Sequence, residues 1–413
     1  MPGRTILFLI LQVIPLVSFP QARSLEYYLG KASENNPQIN EYRNLALTAI
    51  SDSILVNSSR KPLIEGNTLL QYSPYSRNFG YDEAITDGGN YTVTGGISQS
   101  IFNGKEYQNR YSSAAITRRA SENNARIAEK ELKKMITDQY LTAFSDQSDL
   151  NFNLGFLKLY QDELAIAESF VSAGTWKQTD YLSLVIESRT QAILVKELRN
   201  RYRKDIMLLH RICNLNDTAT YELAEPQISP EELPGLARDP GFNRFMFDSL
   251  RIENEKQAID IRYRPKVKWF ADAGLMTSNP WNFYRHFGVS AGLSLNVPIY
   301  DGNQRNVEKG KLAYEENSRS AYRQNYINLY RVNITELQED LRSFDTIMEE
   351  LDKQLVSAES LVSALKNELN TGIAEMTEYI NAVRNLRSAA HDLNMVKIRK
   401  MQTINEMNFL LIK

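Results

Sequence analysis

The chain has 413 residues, of which 42% are hydrophobic, and a formal net charge of −2. A chain of this length can bury a large core, and its pI near 6.1 gives no basic surface of the kind that nucleic-acid binding requires. The mean hydropathy of −0.42 is too polar for a bundle of transmembrane helices. These numbers exclude a nucleic-acid-binding protein and a helical membrane protein.

Residues 1–24 are predicted to be a secretory signal peptide. Arg4 supplies the charged start, residues 6–17 form a short apolar run, and a cleavage site is expected near Ala22. The run is shorter than a typical spanning helix, so a cleaved signal is favoured over an N-terminal anchor. The only cysteine is Cys213, so neither a lipid anchor beside the signal nor an internal disulfide is expected.

Two long helices are predicted, each between a pair of glycines. Gly302 and Gly372 are 70 residues apart, as are Gly104 and Gly174, and the two pairs are offset by 198 residues. At 1.5 Å per residue, each helix would be roughly 100 Å long. The matching spacing predicts an internal duplication. In the second copy, apolar residues recur at alternating steps of three and four, as in a coiled coil: Ile334, Leu337, Leu341, Phe344, Met348, Leu351, Leu355, Ala358, Val362, Leu365 and Leu369.

Four strands are predicted ahead of the long helices. Residues 91–101 and 287–299 alternate strictly between apolar and small or polar side chains, and weaker partners precede them at 64–72 and 267–275. Strands of about ten residues with one apolar face suit a membrane β-barrel, although a soluble sheet lying on the helices is also compatible with the pattern. Because four strands cannot close a barrel, a membrane location requires several copies of the chain to share one.

A glycine turn follows each long helix, and a shorter helix returns from it. Thr179 and Thr377 are predicted to be the N-caps of the returning helices. Gly174 and Gly372 are predicted to be left-handed caps of the long helices.

Catalysis is not predicted. The three histidines, His210, His286 and His391, are far apart in sequence and belong to no metal-binding motif. The sequence also has no glycine-rich phosphate loop, so neither an enzymatic activity nor a cofactor is expected. Charged residues along the long helices, such as 129–134, are interpreted as solvated faces or interhelical pairs.

The duplicated order of helix, proline, hairpin, long helix, glycine turn and returning helix resembles the TolC family of outer-membrane efflux proteins. The resemblance covers essentially the whole mature chain. It rests on these segments: Ala-Ser-Glu-Asn-Asn-Pro-Gln-Ile at 32–39, Ile-Phe-Asn-Gly at 101–104 with Ile-Tyr-Asp-Gly at 299–302, the glycine turns at 174–182 and 372–380, and the mid-chain residues 208–215 and 223–226.

The predicted fold class is mixed α/β and mainly α: a long antiparallel helical coiled-coil barrel with a membrane β-barrel that a trimer shares, four strands per protomer. The predicted division, with an internal two-fold sequence duplication, is as follows: signal peptide 1–24; first repeat 25–211, with a hairpin at 63–103, a long helix at 105–173 and a returning helix at 179–211; equatorial linker 212–238; second repeat 239–413, with a hairpin at 266–301, a long helix at 303–371 and a returning helix at 377–412.

The resemblance implies a homotrimer in the cell outer membrane, with twelve strands in lipid and a helical tunnel in the periplasm. It implies a passive exit duct of a tripartite efflux pump or a type I secretion system, whose tips meet a periplasmic adaptor (a membrane fusion protein) and, through it, an inner-membrane pump. The competing hypothesis is a wholly periplasmic coiled-coil scaffold or adaptor without a membrane barrel, whose hairpins pair with a partner's sheet.

The resemblance also assigns candidate site residues. The family's acidic gate positions fall on Glu378 and Asn381, so the gate would carry fewer charges than the family's acidic type. Three Glu378 carboxylates in a ring would attract cations, although Glu378 could instead merely favour a helix N-terminus. The candidate adaptor contacts are Gly174, Thr175, Asp180, Gly372 and Ile373, and the candidate barrel-to-helix turns are Asn103, Gly104, Asp301 and Gly302.

Overall fold

A computed structural model describes residues 22–74, 76, 78–81, 88–101, 103–174, 176–230, 236–371 and 373–411. Most of the predicted signal peptide, residues 1–21, lies outside this range. The described helices are α1 (Leu25–Asn35), α2 (Pro37–Ser58), α3 (Gly104–Ser172), α4 (Gln178–Ile212), α5 (Pro240–Arg262), α6 (Gln304–Asn370) and α7 (Met376–Leu411). The described strands are β1 (Leu63–Tyr72), β2 (Gly89–Ile101), β3 (Lys266–Thr277) and β4 (Phe287–Asn296). Short 3₁₀ helices occupy Leu236–Arg238 and Pro280–Arg285.

The chain divides into two compact units. Unit 1 takes Met1–Asn36, Lys130–Glu232 and Asn333–Leu410, and unit 2 takes Pro37–Glu129, Leu233–Val332 and Leu411–Lys413. Unit 1 therefore holds α1, α4, α7 and the later parts of α3 and α6. Unit 2 holds the four strands, α2, α5 and the earlier parts of α3 and α6.

The sheet in unit 2 has the strand order β1-β2-β3-β4, and every neighbouring pair is antiparallel. Its register places most of the apolar residues of the four strands on one face, because residues directly opposite each other share a face. Ile97, for example, lies opposite Ile64 on β1 and Ala271 on β3. The other face carries mostly polar or small side chains. On that face the Phe270 ring packs over Gly292, and a Cβ atom at this position would lie only 2.7 Å from the ring.

Helix α5 in unit 2 begins at a well-made cap. Asp239 accepts a hydrogen bond from the Phe242 amide at 3.0 Å, and Pro240 occupies the first turn, where its missing N–H costs nothing. The Tyr326 hydroxyl on α6 donates to the same carboxylate. One aspartate thus fixes both the start of α5 and the side of α6 that packs on it.

The start of the described chain is fastened to the linker in unit 1. The backbone of Arg23 forms a parallel bridge with Leu223, and its carbonyl accepts a hydrogen bond from the Tyr140 hydroxyl at 2.9 Å. The Arg23 guanidinium pairs with Asp217 at 3.0 Å and lies over the Tyr221 ring. These contacts hold the irregular linker against α3.

The mainly helical chain with one small antiparallel sheet confirms the predicted fold class. The order of helix, two strands, long helix and returning helix occurs twice, from α2 to α4 and from α5 to α7. The trimer and the membrane β-barrel that it would share, the sequence duplication and the division into repeats remain predictions. In the part of the chain that the structure describes, no helix is both long enough and apolar enough to cross a membrane.

Candidate functional site

The two helical turns, between α3 and α4 and between α6 and α7, meet in one hydrophobic cluster of unit 1. Tyr160, Leu184, Met376 and Tyr379 are almost fully buried in it. Burying an aliphatic or aromatic side chain of this size contributes about 1.5–3 kcal/mol. The cluster therefore joins the two predicted tips, which the sequence places almost 200 residues apart, into one surface.

The first turn contains Gly174 in a left-handed conformation, with φ of +73°. Its amide donates to the Val171 carbonyl at 2.9 Å, and the rings of Phe170 and Trp176 stack at 4.9 Å across the turn. A left-handed residue at the end of a helix lets the chain reverse direction, which is the role predicted for this glycine. Thr175, another candidate contact, lies outside the described residues.

Gly174→Ala is expected to lower the free energy of unfolding by about 1–2 kcal/mol, because a side chain disfavours the left-handed conformation. A Cβ at position 174 would meet no atom within 4 Å, so the loss would come from the backbone alone. Gly155→Ala is the matched control, since Gly155 lies inside α3 and also has open space around it. That control should gain about 0.5–1 kcal/mol. Thermal unfolding that changed in the same direction for both variants would contradict this role of Gly174.

The second turn presents an apolar side chain to solvent. Ile373 is 77% exposed, while its amide donates to the Glu368 carbonyl at 2.9 Å. Gly372 beside it lies outside the described residues. At the first turn, Asp180 is partly buried in the opening turn of α4. Gly174, Asp180 and Ile373 thus all lie in the tips of unit 1.

The predicted N-caps of the returning helices are wrong. Helix α4 begins at Gln178 with Lys177 at the N-cap, which places Thr179 inside the helix. Helix α7 begins at Met376, so Thr377 is also helical. The threonine preference for N-cap positions is a statistical average, and in this protein both helices begin before the threonine.

The carboxylate of Glu378 takes part in the start of α7. Its Oε2 accepts a hydrogen bond from the Glu375 amide at 3.2 Å, an arrangement in which a side chain in the first turn caps the residue before the helix. Glu378 and Asn381 are both exposed and are three positions apart, so they lie on the same side of α7. The helix-start interpretation of Glu378 thus has direct support, and the exposed side chain is still available for a gate.

Charged pairs connect the helices behind the tips. Glu187 on α4 is only 7% exposed and pairs with Arg384 on α7, while Lys366 on α6 reaches Glu163 on α3 at 2.7 Å. Neither buried glutamate could be located from the sequence, where charges along the helices are interpreted only as solvated faces or interhelical pairs. Their positions inside an apolar repeat were the only available signal.

The candidate barrel-to-helix turns differ between the two copies. Gly104 is already the first residue of α3, and the Asn103 carbonyl accepts a hydrogen bond from the Tyr107 amide at 3.1 Å. In the second copy, Gly302 is left-handed with φ of +61°, and Asp301 accepts from the Arg305 amide at 3.0 Å. That backbone hydrogen bond lowers the pKa of Asp301 below its usual value, so the cap is charged at neutral pH.

The apolar face of the sheet is open to its surroundings in the single chain. Ile64 is 77% exposed, Leu70 72%, Val289 77% and Leu293 73%. Aromatic residues gather on this face at the hairpin-loop end, where Tyr72, Tyr91 and Phe287 lie. Exposed apolar patches of this size mark surfaces that contact lipid or another protein.

No protein-family model matches the sequence, and no curated protein matches it either. Solved structures do match its fold. The outer-membrane channel OprN matches with 13% identity and a TM-score of 0.77 over 94% of this chain and 89% of that one. The outer-membrane protein VceC of Vibrio cholerae matches with 12% identity and a TM-score of 0.78, over 94% and 95%. The chain has the TolC-family fold.

The open-state MtrE outer-membrane channel of Neisseria gonorrhoeae shares this TolC-family fold, with 12% identity and a TM-score of 0.74 over 94% of this chain and 88% of that one. Coverage of this extent includes both the sheet and the helices, so the resemblance drawn from the sequence motifs is confirmed for the whole architecture. Within the described part of the chain, no group of three or more histidine, cysteine, aspartate or glutamate side chains is placed to hold a metal ion.

Proposed function

We propose that the chain is one protomer of a trimeric outer-membrane channel-tunnel that serves as a passive exit duct. The observation that carries this proposal is the sheet, which combines an exposed apolar face with two open edges. Among the described residues, β1 and β4 each pair on one side only. Unpaired backbone groups cannot remain in lipid, so three copies that join edge to edge would close twelve strands into a barrel.

Apolar stripes on the helices of unit 2 support the same assembly. Leu47, Ile50 and Ile54 follow one side of α2 at helical spacing and are 60%, 41% and 63% exposed. Leu329 and Val332 on α6 are 53% and 61% exposed. Stripes of this kind are normally covered by a neighbouring helix, and adjacent protomers of the trimer would supply it.

The proposed partners follow from the tips. Gly174, Asp180 and the exposed Ile373, together with Thr175 and Gly372, would meet a periplasmic adaptor, and an inner-membrane pump of an efflux or type I secretion system would supply the energy. The helical tunnel would lie in the periplasm and the strands in the outer membrane. Glu378 and Asn381 would line the periplasmic gate, where a ring of three carboxylates favours cations.

Membrane fractionation and a native mass measurement test the assembly. We expect the protein to co-purify with the outer membrane and to have the mass of three protomers in detergent. We also expect it to conduct ions in planar bilayers. A soluble periplasmic monomer or dimer would contradict the channel and favour the scaffold whose hairpins pair with a partner's sheet.

The gate is tested by changing its charge in both directions. Glu378→Gln is expected to reduce the cation selectivity of the channel, while the glutamine oxygen can still accept the Glu375 amide. Asn381→Asp adds a carboxylate on the same side of α7 and should increase selectivity for cations. Reversal potentials in a salt gradient measure both effects. If neither variant changes the reversal potential, Glu378 acts only at the helix start.

A further inference from the structure

The side chain of Asp146, on α3 in unit 1, is buried without adequate partners. It is 10% exposed, and its Oδ2 atom is inaccessible to solvent and has no hydrogen-bond partner among the described residues. The paired cation is Arg201 on α4, whose nearest nitrogen is 3.9 Å from Oδ1 and whose side chain is 60% exposed. That distance is too long for a hydrogen bond, and a solvated arginine compensates a buried charge only weakly.

The neighbouring acids are better supplied with donors. Asp205 on α4 accepts a hydrogen bond from Gln139 at 3.3 Å. Asp149, one turn from Asp146, accepts from Asn394 at 2.9 Å and lies 3.1 Å from the His391 ring on α7. Ionising Asp146 is costly by comparison, because a buried charge without hydrogen bonds is destabilising and the neighbouring carboxyl groups of Asp205 and Asp149 oppose it.

We propose that Asp146 is a proton-binding site: in the folded protein its carboxyl group keeps a proton at pH values where a solvated aspartate has already lost it. The packing between α3 and α4 is most stable when this side chain is neutral. The ligand is the proton itself, and among the described residues no group of side chains is placed to hold a metal ion. This site does not depend on whether the protein conducts, so its test stands apart from that of the channel.

The direction of the pH effect follows from the same contacts. Burial and the adjacent Asp205 raise the pKa of Asp146 to about 7, with Arg201 acting in the opposite direction. An aspartate in the unfolded chain releases its proton near pH ~4. The folded protein therefore binds more protons between these values, and its stability falls as pH rises through that window and levels off above it.

Asp146→Asn tests the proposal, because asparagine keeps the shape of the neutral acid and cannot ionise. The thermal midpoint of the detergent-extracted full-length protein is measured from about pH 4 to about pH 8. The variant is expected to lie close to the wild type near pH ~4 and to exceed it by several degrees at the alkaline end. Asp162→Asn, an exposed position on the same helix, is the control and should keep the wild-type pH profile.

Infrared absorption gives a readout that stability alone does not. The wild type near neutral pH should show the high-frequency band of a protonated carboxyl group, and Asp146→Asn should lack it. Asp205→Asn removes the adjacent carboxyl group that raises the pKa of Asp146, so this variant should lose the band at lower pH than the wild type does. An Asp146→Asn protein with an unchanged pH profile and an unchanged carboxyl band would overturn the proposal.

Discussion

In the proposed channel, Leu293→Arg is expected to abolish insertion of the protein into the outer membrane. Leu293 lies on the apolar face of β4, is 73% exposed and stands opposite Trp269 on β3. An arginine on the lipid side of a barrel strand costs about 2–4 kcal/mol near the middle of the bilayer. A trimer would carry this cost three times, once in each protomer. The measurement is the amount of trimer in purified outer membranes, compared with the total amount expressed.

Ser294→Arg is the control for this substitution. Ser294 is the next residue of β4, is also exposed and points to the opposite, polar face of the sheet. In the proposed trimeric barrel this arginine would face a water-filled lumen, so normal insertion is expected. Equal insertion of the two variants, or equal loss, would show that the two faces do not differ in environment and would contradict the lipid-facing role of Leu293.

The sheet was predictable because its information is local. Alternation with a period of two in residues 91–101 and 287–299 already assigns each side chain to a face, and the observed register places those faces together. The long helices were predictable for the same reason, since the absence of proline and the apolar repeat are properties of neighbouring residues. The predicted alternation extends through residues 297–299, but β4 ends at Asn296. Pro298, two residues later, has no N–H for the ladder of the sheet.

The helix contacts could not be predicted from one sequence. The periodicity of a helix indicates that some of its residues face inward, and Glu187 and Asp146 are two of these. The charged partner of each, however, lies on a different helix. Arg384 is 197 residues from Glu187 along the chain. The spacing within either helix carries no information on which residues meet across such a separation. The capping contact of Glu378 at the candidate gate could not be predicted either, because it depends on the residue at which α7 begins.

Arg384→Ala is expected to destabilise unit 1 by about 3 kcal/mol, because it leaves the carboxylate of Glu187 buried without its cation. The Glu187 side chain is 10% exposed, and Arg384 bonds both of its carboxylate oxygens. The expected value lies at the low end for a buried pair, since the Arg384 side chain is itself 49% exposed. Thermal unfolding of the detergent-extracted protein measures the loss, and Glu187→Gln in the Arg384→Ala background should recover part of it by removing the stranded charge.

Arg342→Ala provides the matched comparison. Arg342 pairs with Glu339 at 2.9 Å on α6, in the same unit, but the two side chains are 75% and 66% exposed. Water solvates both charges when either partner is removed, so this loss should stay below about 1 kcal/mol. Similar losses for Arg384→Ala and Arg342→Ala would mean that water reaches Glu187 in the assembled protein. The contact between α4 and α7 would then depend on the apolar cluster around Leu184 and Tyr379 alone.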